Sequence, residues 1–188
     1  MRIISGNLKG KKIQYLRSAI TRPLRDFVKE SIFNIITHSS LTDVCLKDSN
    51  VLDLYSGVGS FGIECLSRGA KKTTFVDNDQ KVLKILENNL EQLSIKKNSS
   101  IYSLKTASFL ENISKNQRFD IIFFDPPFAL DTYINELKAI KKLEIFKKKH
   151  LVVIHREKND EENFKDILNI IQYKNYGRSK IIFGNYLT

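Results

Sequence analysis

Asp53-Leu54-Tyr55-Ser56-Gly57-Val58-Gly59-Ser60-Phe61-Gly62 contains a complete G-x-G-x-x-G that leads from an apolar run into an amphipathic one. Glycines at this spacing let a chain leave a strand through a tight turn, admit a ligand against its backbone, and enter a helix packed close on the sheet. Asp77 stands 20 residues beyond Gly57, at the end of the next apolar run, Thr73 to Asp77. A carboxylate there accepts hydrogen bonds from ribose hydroxyls. Together the two features read as the opening of a nucleoside-binding α/β domain.

The chain on either side keeps the same rhythm. Apolar runs at Val51 to Tyr55, Thr73 to Asp77, Ile101 to Leu104, Phe119 to Asp125 and Leu151 to His155 alternate with helical patterns at Phe61 to Arg68, Val82 to Leu93, Ala107 to Ile113, Thr132 to Leu143 and Glu161 to Ile171. Strands alternating with helices imply a mostly parallel sheet covered on both faces. Two last β-rich runs, Tyr173 to Tyr176 and Lys180 to Leu187, are joined by only Gly177-Arg178-Ser179, too short for a parallel crossover, so an antiparallel hairpin is expected. That makes seven strands after residue 50. In such sheets ligands sit beyond the carboxyl ends of the strands.

Charge separates the cofactors this turn could serve. A dinucleotide would set a pyrophosphate against the glycine turn, where backbone N–H groups and a helix N-terminus favour it. S-adenosylmethionine brings an ammonium and a sulfonium instead, which a carboxylate attracts. Asp53 supplies that carboxylate, although an aspartate in this position also caps loop N–H groups. The candidate cofactor residues are therefore Asp53, Tyr55, Gly57, Gly59, Asp77 and Asn78, with Asn78 or Asp79 alternatively capping the next helix.

Phe119-Asp120-Ile121-Ile122-Phe123-Phe124 ends in Asp125-Pro126-Pro127-Phe128. An exocyclic base amine is a poor nucleophile because its lone pair is delocalised into the ring. Two oxygen acceptors that take both its N–H groups favour a pyramidal nitrogen and aim the lone pair at a methyl donor. Asp125 and the Pro126 carbonyl suit this task, Pro126 and Pro127 stiffen the loop, and Phe128 offers a stacking face for the base. These four are the candidate catalytic residues. An already activated sulfonium calls for no metal, and none is expected.

The chain has 188 residues, which suits one domain by the usual range of roughly 100 to 200. Within it, residues 1–20 read as a basic hairpin appendage, 21–40 as a helix and 50–188 as the core. No apolar run approaches the ~18 residues of a membrane span, and the N-terminus lacks a secretory pattern, so a cytoplasmic protein is expected. Cys45 and Cys65 show no metal-ligand spacing and read as core thiols, and His38, His150 and His155 as structural or surface residues. The net charge is +10, and residues 1–30 hold eight basic residues against two acidic ones. Arg2, Lys9, Lys11, Lys12, Arg22, Arg25 and Lys29 are the candidate RNA contacts. The Lys138 to Lys149 run reads as a solvated helix end. From Arg22-Pro23 onward, Leu24, Phe27, Val28, Ile32, Ile35 and Ile36 recur at helical spacing.

These residues resemble the small-subunit (16S) ribosomal RNA guanine-N2 methyltransferases of bacteria, nearly end to end. The likeness rests on Arg2-Ile3-Ile4-Ser5-Gly6, Gly10-Lys11-Lys12, Arg22-Pro23, Asp26, Glu30, Phe33, the Asp53 to Gly59 turn, Gly62-Ile63-Glu64, Asp77, Asp125 to Phe128, and Tyr176-Gly177 to Tyr186. The resemblance implies a Rossmann-like class I S-adenosylmethionine-dependent methyltransferase fold, S-adenosylhomocysteine as coproduct, and 16S rRNA in the small ribosomal subunit as partner of a monomer. It also implies transfer to guanine N2, at guanine 966 in that family's RNA numbering. Two stretches depart from the family pattern. Lys105-Thr106-Ala107-Ser108 stands where a small polar or acidic residue before an alanine is common, and Tyr55-Ser56 where Phe-Ala is usual. Competing readings are amino methylation of DNA adenine or of a protein glutamine, a nicotinamide oxidoreductase, and a non-catalytic RNA-binding protein.

Overall fold

A computed structural model describes residues 1–16, 24, 26–38, 43–160 and 163–187. The glycine turn joins β1 (Asn50–Leu54) to α2 (Ser60–Ser67), and β2 (Lys72–Asp77) and α3 (Gln80–Gln92) follow. Next come β3 (Ser99–Ser103), α4 (Thr106–Asn112), β4 (Phe119–Phe124), α5 (Tyr133–Leu143) and β5 (Phe146–Glu157). The hairpin of β6 (Leu168–Tyr176) and β7 (Ser179–Tyr186) closes the chain, and α1 (Asp26–His38) precedes it all. The seven strands form one sheet in the order β3-β2-β1-β4-β5-β7-β6. Its first five strands are parallel to one another, while β7 runs antiparallel to both β5 and β6. This is the Rossmann-like class I arrangement, and the order reverses between β1 and β4, where such sheets open a crevice for ligands.

The sheet separates two apolar layers. On one side Val51, Phe123, Val153, Ile181 and Phe183 pack with residues of α1, α2 and α3. On the other Leu52, Leu54, Ile122, Phe124 and Ile154 pack with α4 and α5. Each strand contributes alternate residues to the two faces, as a fully covered sheet requires. Phe61 of α2 stacks on Phe123 at 4.0 Å and on Phe33 of α1 at 5.1 Å, so one aromatic column ties both helices to the sheet. The glycines of the turn have steric reasons. Gly59 lies at φ 83°, and a Cβ on Gly62 would come within 2.3 Å of the Phe75 ring. Only the missing side chain lets α2 lie this close to β2.

Three expectations are corrected. The helix expected over Glu161 to Ile171 is absent among the described residues. Phe164, Ile167 and Leu168 have helix-like spacing but are buried in a turn, Asp166 sits at φ 65°, and β6 already begins at Leu168. A left-handed residue interrupts any helix at that point. The N-terminal hairpin does form, with Arg2 bridged antiparallel to Lys12 and Ile3 N–H donating to the Lys11 carbonyl at 3.0 Å, but it is no outlying appendage, because its Ile3 and Ile13 are buried in the α1–α3 layer. Cys45 is exposed; Cys65 is buried, and burial raises its thiol pKa.

Glu64, on α2 and wholly buried, holds that N-terminal arm. Its carboxylate accepts the Ile4 and Ser5 N–H groups at 2.8 and 2.9 Å and Arg68 Nε at 2.8 Å, and lies 3.7 Å from Lys29 Nζ. Lys29 is buried too, and its Nζ donates to the Arg2 carbonyl at 3.0 Å. It is therefore no RNA contact, because its ammonium is turned inward onto Glu64. Glu64→Ala leaves a buried cation and two backbone donors without their acceptor, and is expected to cost roughly 3 to 5 kcal/mol. Urea unfolding checks this; an unchanged midpoint would mean that the arm is held by its apolar contacts alone.

Candidate active site

The carboxyl ends of β1, β2 and β4 bring Asp53, Asp77 and Asp125 together around the glycine turn. Asp77 accepts the Gly57 N–H on Oδ2 at 2.8 Å and the Asp79 N–H on Oδ1 at 2.9 Å. The Gly57 donor that a pyrophosphate would use is thus already engaged by a carboxylate. Asp53 is 1% exposed and its Oδ2 accepts the Gly62 N–H at 2.9 Å, so the capping role is made. Burial pushes its carboxyl well above the usual carboxylate range, and the negative charges of Asp125 and Asp77 add to the shift. A site with three clustered carboxylates suits a cation.

Space and unused polarity fit the same ligand. A Cβ on Gly57, at φ 53°, would meet nothing within 4 Å, so the turn opens onto free space. Ser56 Oγ is buried with no partner among the described residues. Asn78 is exposed, and Asp79 rather than Asn78 caps α3, accepting the Lys81 N–H at 2.8 Å. The Tyr55 side chain packs in the α4–α5 layer, and its hydroxyl donates to Glu136 Oε2 at 2.5 Å. Burial raises its pKa, with Glu136 adding to the effect. Only the main chain of Tyr55, at φ 59°, is left to line the turn.

Asp125 sits on the β1 side of its loop, its N–H donating to the Leu54 carbonyl at 3.3 Å. Its side chain is 29% exposed, Pro126 is buried, Pro127 exposed and Phe128 half-buried. Two neighbours on β5 hold the loop. His155 Nδ1 lies 2.8 Å from Asp125 Oδ1, and its Nε2 lies 2.8 Å from Ser179 Oγ. An ionised carboxylate can only accept, so Nδ1 donates to Asp125, while Nε2 and the Ser179 hydroxyl share the second hydrogen bond. Arg156 donates to the Pro127 carbonyl at 3.2 Å and the Phe128 carbonyl at 2.9 Å, pairs with Asp160 at 3.0 Å, and lies 4.6 Å over the Tyr133 ring. Neither residue belongs to a motif in the sequence. Their signal was position: the polar pair ends the strand beside β4, and Phe124 pairs with Ile154.

Among the basic candidates, Arg2 is exposed and 3.6 Å from Asp26, and Lys9, Lys11 and Lys12 are exposed on the arm. Arg22 and Arg25 lie outside the described residues.

The family model described as conserved hypothetical protein 95 matches residues 1–185. The chain belongs to this family. Its similar relatives include the Ribosomal RNA small subunit methyltransferase D of Haemophilus influenzae, 32% identical over 160 residues that span 85% of this chain and 80% of that one. The Escherichia coli protein of the same name is 34% identical over 141 residues, 73% of this chain and 67% of that one. Among solved structures, yhhF from Escherichia coli superposes with a TM-score of 0.84 at 25% identity, covering 99% of this chain and 97% of that chain. A more distant fold neighbour, SMU.776, was solved with SAH and has a TM-score of 0.62 at 16% identity, over 77% of this chain and 47% of that one. The fold and family are thus those of methyltransferases.

A cation seated near Asp53 favours its ionised form. Because burial raises the Asp53 pKa, affinity for S-adenosylmethionine is expected to rise with pH from ~4 until that carboxyl is ionised. The window closes near pH ~7.5, where an α-ammonium begins to deprotonate. Asp53→Asn should weaken binding and flatten this rise in calorimetry; a parallel pH profile in the variant would assign the dependence elsewhere.

Proposed function

We propose that this chain transfers the methyl group of S-adenosylmethionine to the exocyclic N2 of a guanine in 16S ribosomal RNA, guanine 966 in the family's RNA numbering, acting as a cytoplasmic monomer on the small ribosomal subunit. One observation carries the reading: the Asp125 loop is gripped by His155 and Arg156 at the rim of a carboxylate-lined glycine turn. The names of the relatives support ribosomal RNA as the substrate.

Asp53, Asp77 and the Gly57 to Gly59 backbone would hold S-adenosylmethionine, which would supply an activated methyl group, with S-adenosylhomocysteine as the coproduct. The chain's own residues prepare the nucleophile. His155 fixes Asp125 through Oδ1, and Oδ2 remains to accept one amine N–H. The Pro126 carbonyl accepts the other, while Arg156 draws the next two carbonyls away toward β5. With both N–H groups engaged, the nitrogen lone pair is directed at the methyl carbon. The new N–C bond would form as the bond from the methyl carbon to sulfur breaks, its electron pair returning to sulfur, and the nitrogen then gives up a proton to Asp125. Acceptors fixed before the reaction need no rearrangement during it, and losing one such group typically costs on the order of 100-fold or more in rate.

Asp125→Ala is expected to lower transfer by at least ~100-fold while S-adenosylmethionine affinity holds within about twofold. His155→Ala should lower kcat about tenfold, and His155→Asn, which keeps a donor, should restore part of it. The assay is methyl transfer to small subunits from cells lacking the protein, with nucleoside mass analysis. N2-methylguanosine is the product expected; N6-methyladenine, or methylglutamine in a protein substrate, would replace the reading. Lys11→Gln and Lys12→Gln are each expected to lower the slope of log affinity against log salt by about 0.7, the loss of one phosphate contact. An unchanged slope would free the arm from RNA.

A further inference from the structure

Phe27 is the most exposed large apolar side chain among the described residues, 67% open to solvent on the first turn of α1. It lies edge-on to Tyr176, with ring centroids 5.7 Å apart. This corrects the expectation that it belongs to the buried stripe of its helix. The Phe27 ring, braced on one edge by Tyr176, leaves an open aromatic face on which a planar group can stack.

The pair stands beside the Asp125 loop. Tyr176 pairs across the hairpin with Ser179, Ser179 Oγ meets His155 Nε2, and His155 Nδ1 meets Asp125. Phe128 packs edge-on against the same His155 at 5.4 Å. A row of rings and hydrogen bonds thus runs from Phe128 through His155 to Tyr176 and Phe27, on the α1 face of the sheet. Exposed cations adjoin the pair along the chain and by contact: Arg2 is 3.6 Å from Asp26, the neighbour of Phe27; Lys174 and Arg178 each stand two residues from Tyr176; and the Lys158 N–H donates to the Arg178 carbonyl, with Asp26 and Glu157 as the acidic partners of Arg2 and Arg178.

We propose that Phe27 and Tyr176 form a stacking platform for an unpaired nucleotide next to the target base in the RNA strand. The inference rests on the RNA reading above. A base turned into the Asp125 loop leaves its neighbours unstacked, and an aromatic face linked to that loop through His155 and Ser179 can take up one of them. Aromatic faces bind any base by stacking while cations hold the phosphates, so the platform tolerates sequence and demands a single strand. Phe128 takes the target; the outer pair takes its neighbour.

The chain contains no tryptophan, so Phe27→Trp places one fluorophore at the platform. With the S-adenosylhomocysteine-loaded variant, a single-stranded RNA oligonucleotide should quench that fluorescence, and the same sequence in a duplex should not. Phe27→Ala should raise KM for the small subunit about tenfold with S-adenosylmethionine affinity unchanged, and Phe27→Trp should keep KM near wild type. Absence of quenching together with an unchanged KM in Phe27→Ala overturns the platform. Quenching that grows with protein concentration without RNA overturns it too, since a second copy is then the occupant. RNA-dependent quenching in a protein that makes no N2-methylguanosine would sustain the platform and sink the proposed reaction.

Discussion

A carboxylate with no solvent exposure, Glu64, holds together parts of the chain that sequence separates by 60 residues. Burying charge is costly unless every partner is in place, and a pair broken on one side costs more than it gained. Glu64 therefore accepts only one arrangement: the Ile4–Ser5 backbone across its oxygens, Arg68 at one side and Lys29 at the other. Burial pulls the Lys29 pKa down while Glu64 and Asp26 push it up. Because Glu64 lies one turn into the helix that Gly59 caps, the arm and α1 are registered against the glycine turn itself. The arm and the glycine turn thus share one anchor.

Strand alternation does the remaining assembly. Asp53 follows Val51 by two residues, Asp125 follows Phe123 by two, and His155 follows Val153 by two, so all three continue the face covered by α1 and α2. Parallel pairing of β1 with β4 and of β4 with β5 then brings their ends level. Three aspartates at one end of a sheet would repel one another if nothing positive came near. The shift on Asp53 records that repulsion on top of its burial. A cationic donor relieves it, so the folded chain carries a bias toward the ligand that its own chemistry needs.

The local chemistry of the turn was legible in the sequence. G-x-G-x-x-G, Asp77 and the Asp-Pro-Pro-Phe loop announce backbone geometries that few other residues adopt, and the βαβ rhythm follows from hydrophobic periodicity. Tertiary partners were not legible in the same way. Lys29 reads as one more basic residue of a basic arm, yet at about 100° per residue it falls on the side of α1 shared by Phe33 and Ile36, whereas Phe27 falls outside it. The buried face of α1 is centred on Ile32, so the wheel itself held this answer and composition hid it. Over Glu161 to Ile171, apolar spacing suited a helix and a turn-plus-strand equally; the neighbouring β7 edge decided between them.

The loop's stiffness shows why a motif is only half of a site. Proline fixes φ at two positions, but it does not fix where a loop points relative to the sheet. That direction is set from β5. Successive strand residues face opposite ways, so His155 reaches Asp125 on the α1 side while Arg156 reaches the Pro127 and Phe128 carbonyls on the α5 side, over Tyr133. One dipeptide grips the loop from both faces of the sheet. The guanidinium is itself held by Asp160 at 3.0 Å, and the imidazole by Ser179 of the closing hairpin. A change in the hairpin thus reaches Asp125 through two hydrogen bonds. The antiparallel addition at the sheet edge, remote from the glycine turn in sequence, thus takes part in positioning the Asp125 carboxylate.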